Sequence, residues 1–102
     1  MTPKPHVKPR VSRMNGAESA YALGLEARRR AGEIQAYWYE DVTLRLGPDC
    51  RLTIDFMVIA ADGEVQFHEV KGRMREDAAV KLRACLGKFP FRIFLNGKEF
   101  QG

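Results

Sequence analysis

At 102 residues, with 45% hydrophobic and 29% charged content, the sequence describes one globular domain, long enough for a single core and too short for two. It contains no apolar run of membrane-spanning length and no apolar stretch of the signal-peptide kind near its N-terminus, which points to a cytoplasmic protein with no membrane partner. The net charge of +4 is confined to residues 1–14, where Lys4, Lys8, Arg10 and Arg13 meet no acid, so the remaining basic residues are balanced by the acidic ones.

Residues 1–14 also hold Pro3, Pro5 and Pro9, three of the five prolines, and read as an extended basic arm. Such an arm suits a polyanion, and equally suits a solubilising leader. Cys50 and Cys85 have no zinc spacing, and in a cytosolic setting they are two reduced thiols acting as small apolar groups.

Regular structure begins at Asn15, a good N-cap with Glu18 at the N3 position of a capping box. Ala17, Ala20, Tyr21, Gly24, Ala27 and Ala31 recur at helical spacing, which predicts a buried face of small residues. Arg28–Arg30 complement the last turn and Gly32 supplies the stop. A strand follows from Ile34 to Leu46, with Trp38, Val42, Leu44 and Leu46 on alternate positions. The turn Gly47-Pro48-Asp49 leads to a second strand over Leu52–Ala60, apolar on both faces, and Asp62-Gly63 turns the chain into a third over Val65–Lys71. Arg75–Lys88 is helical with Ala78, Leu82, Cys85 and Leu86 inward, and Phe89–Leu95 is the last strand. The order αβββαβ, with a right-handed crossover making the last strand parallel to the third, predicts an α/β fold with a mixed four-stranded sheet flanked by two helices.

In Leu52–Ala60, alternation puts Leu52, Ile54, Phe56 and Val58 on one face and Thr53, Asp55, Met57 and Ile59 on the other. Asp55 is thus a carboxylate inside a strand that reads as buried, and such a group needs a partner. A hairpin about Asp62-Gly63 brings it opposite Glu69 and Lys71, which share a face two residues apart. Asp55 facing Glu69 alone is repulsive. A divalent cation between them resolves the conflict, with Lys71 offsetting part of the charge. Mg²⁺ needs only one or two carboxylates and a backbone carbonyl because it keeps several waters. Glu-x-Lys alone is a weak motif in a chain with eight Glu and six Lys, and a cross-strand ion pair between Asp55 and Lys71 is the competing account.

With these residues in place, the chain resembles the PD-(D/E)xK nuclease superfamily, and within it small phage- and prophage-type nuclease-like proteins with a Holliday-junction-resolvase-like core. The resemblance runs from Met14 to about Phe94. It is carried by "MNGAESAYA", "AGEI", "LTIDFMV", "HEVKG", "REDAAVKLR" and "FPFRIF". It implies a restriction-endonuclease-like core over residues 15–102, with Asp55, Glu69 and the Val70 carbonyl as metal ligands and Lys71 as the catalytic lysine. Glu18 matches the acidic residue on the first helix that assists by holding water or a second metal, although capping alone also explains it. Ile54 stands where the family has proline, a change of strand geometry and not of ligand set.

The resemblance places Lys81 and Arg83 at basic positions of the second helix, and with Arg73 and Arg75 they could bind DNA phosphates. A solvated helix face with an Asp77–Lys81 pair is the alternative. His68, on the face opposite Glu69, reads as packing or interface, "AYWYE" reads as core, and Glu40 is an outside candidate for the site. The resulting expectation is a Mg²⁺-dependent, phage-type endonuclease acting on junction or branched DNA, with Mn²⁺ able to substitute, working as a homodimer in the host-cell cytoplasm. The competing expectation is a non-catalytic DNA-binding module, or one activated by a phage replication or packaging partner, that keeps the fold.

Overall fold

The computed structural model describes residues 14–102, so the basic arm lies outside the described residues except for Met14. Two helices and five strands follow in the order α1 (Gly16–Arg30), β1 (Ile34–Gly47), β2 (Cys50–Ala60), β3 (Val65–Glu69), α2 (Glu76–Lys88), β4 (Arg92–Leu95) and β5 (Lys98–Phe100). They form an α/β fold around one mixed sheet of spatial order β1-β2-β3-β4-β5, in which β3 and β4 are parallel and every other neighbouring pair is antiparallel. None of the helices among the described residues is long and apolar enough to cross a membrane.

Local chemistry sets the element ends. Asn15 caps α1 through a complete capping box, its side chain accepting from the Glu18 N–H while Glu18 accepts from the Asn15 N–H. Gly32 then turns the chain at φ +79°, a left-handed conformation that costs glycine little. The β2–β3 hairpin is closed by Gly63 at φ +92° and by Asp62, which accepts from the Glu64 N–H.

One core cluster joins Ala22 and Leu25 of α1 to Ile34, Tyr37, Tyr39, Phe56, Val58 and Val70. The other joins Leu82 and Cys85 of α2 to Ile54, Phe67 and Ile93. Both cysteines are free thiols, and burial pushes the Cys85 thiol above its ordinary pKa.

Four expectations are corrected. The sheet has five strands, because Asn96-Gly97 turns the chain back into β5. β3 stops at Glu69, so Lys71 lies beyond the strand. The buried side of α1 is Ala22 and Leu25, not the small-residue stripe: Ala17, Ala20, Gly24, Ala27 and Ala31 are exposed. Apolar area decides the helix rotation, since burying Leu25 removes far more surface from water than an alanine or glycine does.

Lastly, Leu52, Ile54, Phe56 and Val58 do not share one face. Phe56 and Val58 pack with α1, whereas Ile54 and Leu52 pack with the α2 cluster. The change falls where the β1–β2 register slips, between the pairs Tyr39–Phe56 and Val42–Ile54, so that Glu40 and Asp41 stand against Asp55 alone. Glu40 takes φ +51° there. This is a β-bulge, which bends and re-aims the strand that carries it.

Candidate active site

The bulge brings Glu40 of β1 against Asp55, where three elements meet. Carboxylate oxygens of Glu18 (α1), Glu40 (β1 bulge) and Asp55 (β2) all lie within 4.8 Å of one another. Glu18 is held there by more than its cap: the buried Tyr39 hydroxyl donates to Glu18 Oε1 at 3.0 Å, on the same oxygen that accepts from the Asn15 N–H at 3.1 Å. Burial, then the bond to Glu18, holds the Tyr39 phenol well above its ordinary pKa, so it remains a donor.

The regular β2–β3 pairing ends at Phe56–His68. Beyond it, carboxylates replace the missing rungs. Glu69 Oε1 accepts from the Asp55 N–H at 2.9 Å, and Asp55 Oδ2 accepts from the Val70 N–H at 2.9 Å. Asp55 is 7% exposed and Glu69 1% exposed, so two acids are fixed side by side out of water. Burial raises the pKa of both. For Asp55 the Glu18 and Glu40 charges add to the rise, against the Val70 N–H and Lys71. Glu69 is pushed up to about 7 by burial and then by Asp55, against the Asp55 N–H and Lys71.

Lys71 Nζ stands 3.6 Å from Glu69 Oε2 with its side chain about one-third exposed, which makes it the cation between the buried acid and solvent. Glu69 and Lys71 open onto a cleft of about 200 Å³ lined also by Leu52, Asp77, Ala78, Lys81 and Leu82. Two sets therefore adjoin through Asp55: the carboxylates Glu18, Glu40 and Asp55, and the group Glu69, Lys71 and Lys81 facing α2.

Of the residues singled out in the sequence, Glu18, Asp55, Glu69, Val70 and Lys71 fall in this one region. The cluster within carboxylate reach of Asp55, however, contains Glu18 and Glu40, with Glu69 bound instead to the Asp55 backbone. Glu40 moves from an outside candidate to a member, because only the bulge turns it inward. Lys81 lines the cleft. Arg83 is exposed and does not line it, being two residues and so roughly 200° further round the helix. Arg73 and Arg75 are exposed on the loop before α2, around a separate shallow depression shared with Met74 and Glu76.

The donor set is oxygen-only, which fits a hard divalent cation and not a thiol- or imidazole-seeking one. His68 stays out of it. Its Nε2 bonds Gln66 Oε1 at 2.9 Å, its Nδ1 bonds the Tyr21 hydroxyl, and its ring stacks on Phe94 at 4.7 Å.

Asn96, which the sequence reading passed over, completes the region. Its Oδ1 accepts from the Lys71 N–H at 3.0 Å and its Nδ2 donates to the Lys71 carbonyl at 2.8 Å. The signal was present: Asn-Gly is the residue pair most favoured at the two central positions of a type I′ hairpin turn. No family model matches the chain, and neither a curated protein nor a solved structure matches it.

Proposed function

We propose that the chain is a Mg²⁺-dependent endodeoxyribonuclease built on a PD-(D/E)xK-type core and acting on junction or branched DNA. The observation that carries this reading is the reciprocal Asp55–Glu69 arrangement with Lys71 beside it: two buried acids held with raised proton affinity, next to two further carboxylates and one lysine. A purely structural ion pair needs one acid for its lysine, whereas here two buried acids each bind the other's strand segment beside Lys71. Replacing such a cluster by apolar groups is commonly neutral or stabilising, so its presence calls for a function.

In this reading Asp55, Glu69 and the Val70 carbonyl would hold the cation, with Glu18 and Glu40 as further carboxylates within reach of Asp55. A bound divalent ion supplies Lewis-acid polarisation of the scissile phosphate and a more acidic water. Lys71 orients the attacking water and stabilises charge as the phosphorane-like transition state develops. Lys81, on the far wall of the cleft, and Arg73 and Arg75, on the loop leading to α2, bind flanking phosphates. Arg83, on another side of α2, would meet phosphate only outside the cleft.

The test is cleavage of a labelled four-way junction, flap, single strand and linear duplex in Mg²⁺, in Mn²⁺ and in EDTA, with Lys71→Ala beside wild type. Metal-dependent cutting, preferential for the branched substrates and reduced about 100-fold or more by the substitution, is expected. Binding to branched DNA without cutting in any metal favours the non-catalytic or partner-activated module instead.

A further inference from the structure

We infer that Asn96 is a positioning residue for the metal-binding and lysine-bearing segment Glu69–Lys71; the inference rests on the proposed nuclease reading. β3 ends at Glu69, yet the next two residues carry a proposed ligand carbonyl and the proposed catalytic ammonium. Beyond a strand end, a backbone of this kind ordinarily loses its rungs. Here one residue supplies three. The Asn96 N–H donates to the Glu69 carbonyl at 2.9 Å, Asn96 Oδ1 accepts from the Lys71 N–H at 3.0 Å, and Asn96 Nδ2 donates to the Lys71 carbonyl at 2.8 Å.

The consequence follows from peptide planarity. In a trans peptide the N–H and C=O of one unit point in opposite directions. The unit joining Glu69 to Val70 is held at both ends, its carbonyl by the Asn96 N–H and its N–H by Asp55 Oδ2. The next unit has its Lys71 N–H fixed on Asn96 Oδ1, which sets the opposite direction for the Val70 carbonyl. Asn96 thereby orients the backbone ligand, and by holding Lys71 on both sides it fixes where that side chain starts.

The turn keeps Asn96 in place. Asn96 at φ +51° and Gly97 at φ +86° form a two-residue turn between the paired residues Leu95 and Lys98, the geometry of a type I′ hairpin. A Cβ on Gly97 would meet the Tyr21 ring at 4.0 Å, so the turn rests against α1. Asparagine is among the few side chains that accept a left-handed backbone, and here its amide also reaches across to Lys71.

The test uses Asn96→Gly, which accepts the same backbone conformation while removing the amide, and Asn96→Asp, which keeps the Oδ1 acceptor. Hydrogen exchange of the Lys71 amide is followed by NMR, with Phe67 and His68 as controls. Mn²⁺ binding is measured by calorimetry, and cleavage is read as separate kcat and KM. In Asn96→Gly, Lys71 exchange accelerates at least about tenfold with the controls unchanged, Mn²⁺ affinity falls about tenfold, and kcat falls with KM little altered. Asn96→Asp, which keeps the acceptor for the Lys71 N–H but loses the donor to the Lys71 carbonyl, recovers part of the Lys71 protection. Unchanged Lys71 exchange in Asn96→Gly overturns the clamp, and faster exchange with unchanged Mn²⁺ affinity and kcat reduces Asn96 to a turn residue and overturns the inference. Wild type that binds no Mn²⁺ defeats the nuclease reading itself, and the positioning role with it.

Discussion

His68 and Glu69 are consecutive residues of β3, both at least 98% buried, and they face opposite sides of the sheet. On the α1 side, His68 is fully satisfied. Gln66 donates through Nε2 to Glu64, so its Oε1 accepts from His68 Nε2–H and leaves Nδ1 to accept from the Tyr21 hydroxyl. Burial and the nearby Arg28 hold the imidazole neutral, with its pKa down at about 4. On the other side, Glu69 shares its surroundings with Asp55 and pairs with Lys71. A buried polar group whose hydrogen bonds all close belongs to the fold. One kept beside like charge is destabilising by itself and gains from something added to the site.

The largest expected effect that sharpens this contrast is on catalysis. Glu69→Gln keeps the Oε1 acceptor for the Asp55 N–H but removes the charge. It is expected to lower metal-dependent cleavage by about 100-fold or more while leaving the folded state as stable as wild type or more so. His68→Leu is expected to do the reverse. It strands the Tyr21 hydroxyl and Gln66, costs about 2–4 kcal/mol in urea unfolding, and leaves kcat of the folded fraction within about threefold. A Glu69 variant that unfolds, or a His68 variant that is stable but inactive, breaks the comparison.

The two residues also pull pH dependence in opposite directions. Folding keeps Glu69 protonated up to about 7, above its ordinary value of 4.5, so its contribution to stability is present at low pH and lost as pH rises through that window. His68 has a folded pKa of about 4, below its ordinary 6.5. Its contribution is present above 6.5 and lost as pH falls toward 4. Each is worth on the order of 3 kcal/mol. Between pH 4.5 and 6.5 the two contributions oppose each other in wild type without metal, whereas Glu69→Gln, which loses the Glu69 contribution, is expected to gain stability relative to wild type as pH rises across that range. Urea midpoints at five pH values decide it, and parallel curves for the two proteins contradict the assignment. Smallest is Tyr39→Phe, which removes the donor to Glu18. About 1 kcal/mol of stability and a few-fold loss of activity are expected, measured by thermal melts and cleavage rates.

The same division marks what was legible in the sequence. Both helices and the first three strands show in their periodicity, and the Asn15–Glu18 capping box and the Asp62-Gly63 turn are local signals that act as they read. Asp55, Glu69 and Lys71 stand out because charge in a buried strand is anomalous at any register. Alternation does not reveal the bulge at Glu40, since Trp38, Val42, Leu44 and Leu46 keep even spacing straight across it, and so Glu40 and the split between Ile54 and Phe56 stay hidden. The rotation of α1 is set by tertiary packing of Leu25 and Ala22, which outweighs the regular spacing of the small residues. Asn96-Gly97 was legible as a hairpin. Its grip on Lys71 was not, because it joins residues 25 apart in sequence.

Thermal stability of wild type, Asp55→Asn and Glu69→Gln at pH 8, each in Mn²⁺ and in EDTA, reads cation binding at Asp55 and Glu69. A cation that binds only the folded state stabilises it by about 2.7 kcal/mol at 100 times its Kd. Wild type should melt several degrees higher in Mn²⁺ than in EDTA, and the two variants at the same temperature in both. A wild type indifferent to Mn²⁺, or variants raised as much as wild type, would contradict the account of Asp55 and Glu69 as a cation site.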